Sequence, residues 1–277
     1  MTSIVFSNNS PENLDRFLQS AQQKNIPLTF SVLYNAEEPV RDDYKVVFEK
    51  YNILSYKLIE NFKEDLLTMI GQISGIVGFF KDTNYFFSEM PEINLDEIMK
   101  DDNLFCFSLI LGRNIKHCYY NDVYNILLNE EPIGEHLFKW NWTKHYLDFG
   151  RPLELGGGHF FHKKEIYKFF KKWNYTNLPE LENSFDQLDY YPKEQMVSLN
   201  SSVMVDILNN NNEIEKLKEN NNKDKDLNND NKLKPIKNLE LKNSKTITKN
   251  LGDKIQESTL QTIKEKRETS KYKDSAN

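Results

Sequence analysis

The chain has 277 residues, with 36 Lys and Arg against 42 Asp and Glu for a net charge of −6, and 38% hydrophobic residues. That length suits one large domain or two small ones. Charge of both signs without a basic stripe excludes a nucleic-acid partner, and no apolar run reaches transmembrane length or forms a leader, so a soluble, cytoplasmic protein is expected.

In chain order, "SIVFSNNSPENLDRFLQSAQQ" opens with a strand at Ser3–Phe6 and a polar loop. Ser10 is placed to cap a helix whose first position is Pro11, and Leu14, Phe17, Leu18 and Ala21 share one helical face. "PLTFSVLYNA" reads as a second strand, so strand, helix and strand form a βαβ unit with a parallel sheet. "KVVFEKYNI" adds a short helix and a strand, and "NFKEDLLTMIGQI" a helix. "GIVGFFKDTNYFF" is a buried strand whose apolar run ends at Lys81-Asp82. "NLDEIMKDD" is a short helix capped by Asn94, and "NLFCFSLILG" is another strand. The predicted class is α/β, a mainly parallel sheet with helices on both faces. Cys106 and Cys118 are the only cysteines and are expected to be reduced, with Cys106 buried. From Asn209 onward the chain is rich in Asn and Lys, with Tyr272 its only aromatic, which predicts a disordered or transiently helical tail at 209–277 after an ordered domain at 1–208. A loose apolar spacing at Leu251, Ile255, Leu260 and Ile263 allows a weak helix there.

Ligands of open α/β sheets sit at the carboxyl ends of strands, which picks out Ser7–Ser10, Tyr34–Glu37 and Lys81–Asn84. Asp82 and Asn84 lie two apart, so in an extended chain both side chains point one way. Oxygen ligands so arranged can hold a hard divalent cation that grips a diphosphate; the same residues also suit a plain turn. His159 is either a single metal ligand, a phosphate donor, or a hydrogen-bonded structural histidine, and no cysteine pair stands near it and His162 to build a zinc site. Asp148 and Glu154 flank "FGRPL", and either could act as a general base. "FKWNW" is core or a platform for a sugar ring. Three of only ten glycines stand together at Gly156–Gly158, where the backbone must turn or closely approach something.

"NLFCFSLILGRNIKHCYY", "FKWNW" and "YLDFGRPLELGGGHFFHKKEIYKFF", in that order, resemble a group of bacterial and viral glycosyltransferase-like proteins related to glycosyltransferase family two. That group reads F-S-L-R-L-G-x-N, then W-x-W, then D-x-G-Y-P-x-S-x-D-G-H-I-F-R before a helix, with a strand ending in an aspartate pair where this chain has "FFKDTN". "NYTNLPELENSF", with Glu182 at its acidic position, and "SLNSSVMVDI" resemble its later segments, so the match spans residues 3–208. The resemblance implies a nucleotide-diphospho-sugar transferase (GT-A) fold and an inverting transfer from a nucleotide-sugar donor to a glycan or small-molecule acceptor, assisted by Mn2+ or Mg2+. Together with the residues read above, it points to donor contacts from Ser7, Asn8, Asn35, Asp82, Gly157, Gly158 and His159 and metal contacts from Asp82, Asn84 and His159, with Glu154 or Asp148 having to substitute as base for the family's missing aspartate. The chain departs from the pattern at several charged positions: the aspartate pair is Asp82-Thr83, Ile110 and His162 replace arginines, and the glycine run stands across the S-x-D-G-H aspartate. Those losses raise a second expectation, a binding protein on the same fold that holds a nucleotide sugar or a partner without turnover.

Overall fold

The computed structural model describes residues 1–115, 117–118, 123–124, 127, 129–145, 149–150, 153–188 and 192–207. The chain divides into two units, Met1–Asp224 and Lys225–Asn277, and every described residue lies in the first. Asp148 and the tail at 209–277 fall outside the described residues.

The elements run β1 (Thr2–Asn8), α1 (Pro11–Gln23), β2 (Thr29–Asn35), α2 (Glu38–Lys50), β3 (Ser55–Leu58), α3 (Phe62–Gln72), β4 (Ile76–Lys81), β5 (Asn84–Phe86), α4 (Leu95–Ile98) and β6 (Leu104–Ser108). Then follow β7 (His117–Cys118), β8 (Val123–Tyr124), β9 (Glu131–Ile133), β10 (Leu137–Asn141), β11 (Gly157–His162), α5 (Lys163–Lys172), α6 (Leu178–Asn183), β12 (Gln195–Leu199) and β13 (Met204–Asp206). Nine strands form one sheet in the order β3-β2-β1-β4-β11-β6-β12-β10-β9, with β13-β5 and β7-β8 as separate pairs. In the large sheet only β10 and β11 run against the rest, so it is mixed but mainly parallel, as the sequence predicts.

Both faces of this sheet are covered, which is why β1 and β4 read as continuous apolar runs. Alternate residues point to opposite faces. Ile4, Phe6, Val77 and Phe79 pack with α3 and α5 through Leu66, Ile70, Ile166 and Phe170. Val5, Ile76 and Phe80 pack on the other face with α1 and α2 through Leu14, Phe17, Tyr44 and Val47. Burying each Phe fully contributes about 1.5–3 kcal/mol, so the layered core fixes the strand ends that carry polar residues. "FKWNW" belongs to this core: Trp140 and Trp142 are buried, and the Trp140 indole donates to the Phe149 carbonyl at 2.8 Å.

Three local readings change. "GIVGFFKDTNYFF" is not one strand: the chain turns at Asp82-Thr83, and β5 leaves the large sheet to pair with β13. The polar turn pair outweighs the apolar run there. Helix α2 begins at Glu38, ahead of the predicted "KVVFEK", because Pro39 presets the first turn. Ser10 precedes α1 without a side-chain cap; its backbone N–H instead donates to the Tyr44 hydroxyl at 3.1 Å.

One close backbone approach sets the path into β13. A Cβ on Gly112 would stand 2.2 Å from the Ser202 nitrogen and 2.4 Å from Asn114 Oδ1, the atom that accepts the Ser202 N–H at 2.8 Å. Backbone cannot swing aside as a side-chain tip can. Gly112→Ala is therefore expected to destabilise the fold by about 1–3 kcal/mol, read as a lower urea midpoint; an unchanged midpoint would remove this packing argument.

Candidate functional site

The carboxyl ends of β1, β2 and β4 lie side by side, since Ser7 pairs with Tyr34, Asn8 with Asn35, and Phe6 with Lys81. This edge gathers most of the sequence-predicted residues. Ser7 Oγ donates to Asp82 Oδ2 at 2.6 Å and also shares a 2.6 Å hydrogen bond with the Tyr44 hydroxyl. The Asn8 N–H approaches the same carboxylate oxygen at 3.4 Å. Asn35 Nδ2 donates to Asn8 Oδ1 at 3.0 Å, and the Asn9 N–H donates to the Asn35 carbonyl at 2.9 Å. Asn9, with φ of 50°, then accepts the Glu37 N–H at 2.8 Å, so the loops after β1 and β2 hold each other.

Asp82 is buried, and burial pushes its carboxyl up to about 6, against the hydrogen bonds from Ser7 and Asn8; the Asp206 charge adds to the rise. Asn84 is also buried, and its Oδ1 accepts the Lys81 N–H at 2.9 Å, closing the turn, while its Nδ2 has no hydrogen-bond partner. The turn breaks the extended geometry on which a shared direction for Asp82 and Asn84 depended.

The glycine run is a β-bulge where β11 starts against β4. Gly157 pairs with Phe80 and His159 with Phe79, leaving Gly158 as the extra residue, with φ of 69°. Gly156 serves a different need: a Cβ there would stand 2.5 Å from Lys81 Cγ, so the missing side chain lets the lysine stem pass. His159 lies inside the sheet, 3% exposed, with Nδ1 unpartnered. Burial, helped by the Lys81 charge, lowers its pKa to about 3, so the ring is neutral.

Lys81, which the sequence places at this strand end without assigning it a role, is the one cation here among the described residues. Its Nζ lies 3.3 Å from Glu182 Oε1 and 3.6 Å from Glu154 Oε2. Burial alone would lower its pKa, but Glu182, Glu154 and Asp206 outweigh that and raise it. Glu182 also accepts the Gly156 N–H at 3.2 Å, so one carboxylate holds both the lysine and the glycine turn. Burial raises the Glu182 pKa, with Lys81 acting against it. Asp206, which faces Asn84 across the β5–β13 ladder, was missed in the sequence; its Oδ1 is buried and unpartnered. The Lys81 signal was a charge ending a wholly apolar run. Tyr44 and Asp206 carried no local signal, since only tertiary pairing brings them here.

Three carboxylates, Glu182, Glu154 and Asp206, thus act on one ammonium, and Asp206 also acts on Asp82. The donors are hard oxygens and the net charge is negative, a set that suits a divalent cation, and the orphaned Asp206 Oδ1 is an acceptor still to be satisfied. Among the described residues no three His, Cys, Asp or Glu side chains already stand together as a metal cluster. An open groove of about 880 Å³, lined by Thr2, Leu28, Gly75 and Ile93 among others, lies at the opposite edge, where the parallel strands begin, and shares none of these residues.

No family model matches the chain. No curated protein matches it either. Among solved structures, it is similar to the 4-diphosphocytidyl-2C-methyl-D-erythritol synthase of Anaerococcus prevotii, with a TM-score of 0.45 and 13% identity over 80% of this chain and 98% of that one. It is also similar to a mannosyltransferase from Pyrobaculum calidifontis in complex with GDP-Man and Mn2+, with a TM-score of 0.33 and 16% identity over 43% of this chain and 37% of that one. Likenesses this partial carry no argument about activity. No helix among the described residues is long and apolar enough to cross a membrane.

Proposed function

We propose that this edge binds a nucleotide-diphospho-sugar with a divalent cation and transfers the sugar, with inversion, to a hydroxyl of a glycan or small acceptor. The observation that carries the reading is the Asp82 carboxylate, fixed by Ser7 and Asn8 at the ends of three adjacent parallel strands, where open α/β sheets take their ligands. A bare diphosphate would meet a surplus of negative charge here. Mn2+ or Mg2+, when bound, neutralises the departing diphosphate. Asp82 would hold the cation. Asn84 has its carbonyl oxygen committed to Lys81 and would act by shaping the turn, while His159, buried and neutral, would support the glycine bulge beside the sugar.

In the transfer, the acceptor oxygen bonds to the anomeric carbon as the bond to the diphosphate oxygen breaks. Glu154 would take the acceptor's proton; its side chain is 41% exposed and so within reach of an incoming hydroxyl. Asp148 is the second candidate base. Ser7, Asn8 and Asn35 would line the nucleotide side, and the Gly157 N–H, which donates to the Glu154 carbonyl at 3.1 Å at the start of the Gly158 bulge, would hold Glu154 in place.

One observation favours binding without turnover: Glu154, the one proposed base among the described residues, is ion-paired to Lys81. Two measurements separate the readings. Nucleoside diphosphates should raise the melting temperature, and more so with Mn2+, by mass action; a full panel that leaves it unmoved would sink both. Donor hydrolysis or transfer should then fall about a hundredfold in Glu154→Gln with donor affinity nearly unchanged. Donor binding with no turnover of any nucleotide sugar by the wild-type chain would select the binding protein.

A further inference from the structure

We infer that Asp206 is the second carboxylate of the cation site, supplied by β13 to replace the acidic residue that is missing beside Asp82. The inference deepens, and rests on, the reading of this edge as a cation-assisted diphosphate site.

The sequence leaves one carboxylate at the turn, because Thr83 follows Asp82. The fold brings a second from the far end of the domain. Strand β13 runs antiparallel to β5, with Met204 opposite Phe86 and Asp206 opposite Asn84. The next residue closes on the turn itself, as the Ile207 N–H donates to the Thr83 carbonyl at 2.8 Å. Asp206 is thereby fixed beside the Asp82–Asn84 turn by backbone bonds on both sides of it, and its charge acts on both Asp82 and Lys81.

Three polar side-chain atoms at this junction are unsatisfied. Asp206 Oδ1, Thr83 Oγ1 and Asn84 Nδ2 are all buried without a hydrogen-bond partner, and Asn84 is only 1% exposed. Buried polar groups almost always have partners, so three orphans at one turn mark a place where a bound species belongs. Lys81, the nearby cation, is spent on Glu154 and Glu182. Two like charges, an orphan carboxylate oxygen and an orphan hydroxyl are an acceptor set for a hard cation. Asn84 Nδ2 is the neighbouring donor, suited to a water or phosphate oxygen carried with it.

Mn2+ alone, titrated into the full chain and followed by electron paramagnetic resonance, tests this without nucleotide or turnover. Wild-type protein should bind Mn2+, and Asp206→Asn and Asp82→Asn should each weaken binding at least tenfold while keeping the wild-type circular dichroism spectrum. Asp206→Ala provides a second variant should the asparagine distort the ladder. Wild-type Mn2+ affinity in folded Asp206→Asn, or no Mn2+ binding by the wild-type chain, would overturn the inference. If nucleotide diphosphates bind and Asp206→Asn leaves Mn2+ affinity unchanged, only the Asp206 role fails. If Mn2+ binds through both aspartates but no nucleotide binds, the cation site stands and the transferase reading fails.

Discussion

Asp82→Asn should make the metal-free protein more stable at pH 8, by about 3 kcal/mol at most, while weakening cation-dependent nucleotide binding tenfold or more. The stability gain follows from linkage. Burial raises the Asp82 carboxyl to about 6 in the folded chain, above the ordinary aspartate value near 3.9. A raised acid contributes its stability in full below the unfolded pKa and loses it as pH climbs through the folded one. Between about pH 4 and pH 6 the stability that Asp82 contributes should therefore fall by a few kcal/mol, since each pKa unit corresponds to about 1.4 kcal/mol, while the buried neutral His159 gains stability over the same range in wild type and variant alike. Asparagine carries no charge at any of these pH values and still offers Ser7 an oxygen. Urea titrations in chelator should give nearly equal stabilities for variant and wild type at pH 4 and a more stable variant at pH 8, the His159 contribution cancelling in the difference. An asparagine variant less stable than wild type at pH 8 would show that the Ser7 and Asn8 bonds to the ionised carboxylate outweigh its burial.

That trade is what a binding site built at a strand end should display: a charge kept where it costs the free protein stability. It also marks how far the sequence could be read. The apolar runs of β1, β2 and β4 are legible because both faces of the sheet are buried, and the rule of carboxyl ends then selects Ser7, Asn8, Asn35 and Asp82 without any knowledge of contacts. The Gly156–Gly158 run is legible as a tight place. Its two purposes are not, because one glycine answers to Lys81 and another to a bulge against β4, and both depend on pairing across 75 or more residues of chain. Strand β11 hid for the same reason: "GGHFF" has poor strand propensity, and only its position between β4 and β6 makes it extended. Asp206 was invisible, since nothing local distinguishes it from other acids near the chain's polar end.

Lys81→Met should destabilise the fold by about 2–3 kcal/mol, and adding Glu182→Gln should recover most of that loss. The lysine's side chain is 23% exposed and that of Glu182 only 16%, so removing the ammonium strands a largely buried carboxylate. Breaking one partner of a buried pair typically costs about 3–5 kcal/mol, and the residual solvent contact here scales it down. Methionine keeps the unbranched stem that passes under Gly156, so the loss isolates charge from packing. Glutamine at 182 keeps an oxygen for the Gly156 N–H, which Glu182 now accepts at 3.2 Å, but no longer carries the stranded charge. The double variant should therefore lie closer to wild type than Lys81→Met alone, with a coupling energy of about 1–3 kcal/mol in a double-mutant cycle of urea unfolding. Glu154, which lies nearer solvent, should couple to Lys81 by less than about 1 kcal/mol, as exposed pairs do. Additive effects of Lys81→Met and Glu182→Gln would mean that the two groups are screened from each other, and that the glycine turn rather than the ion pair holds Glu182 in place.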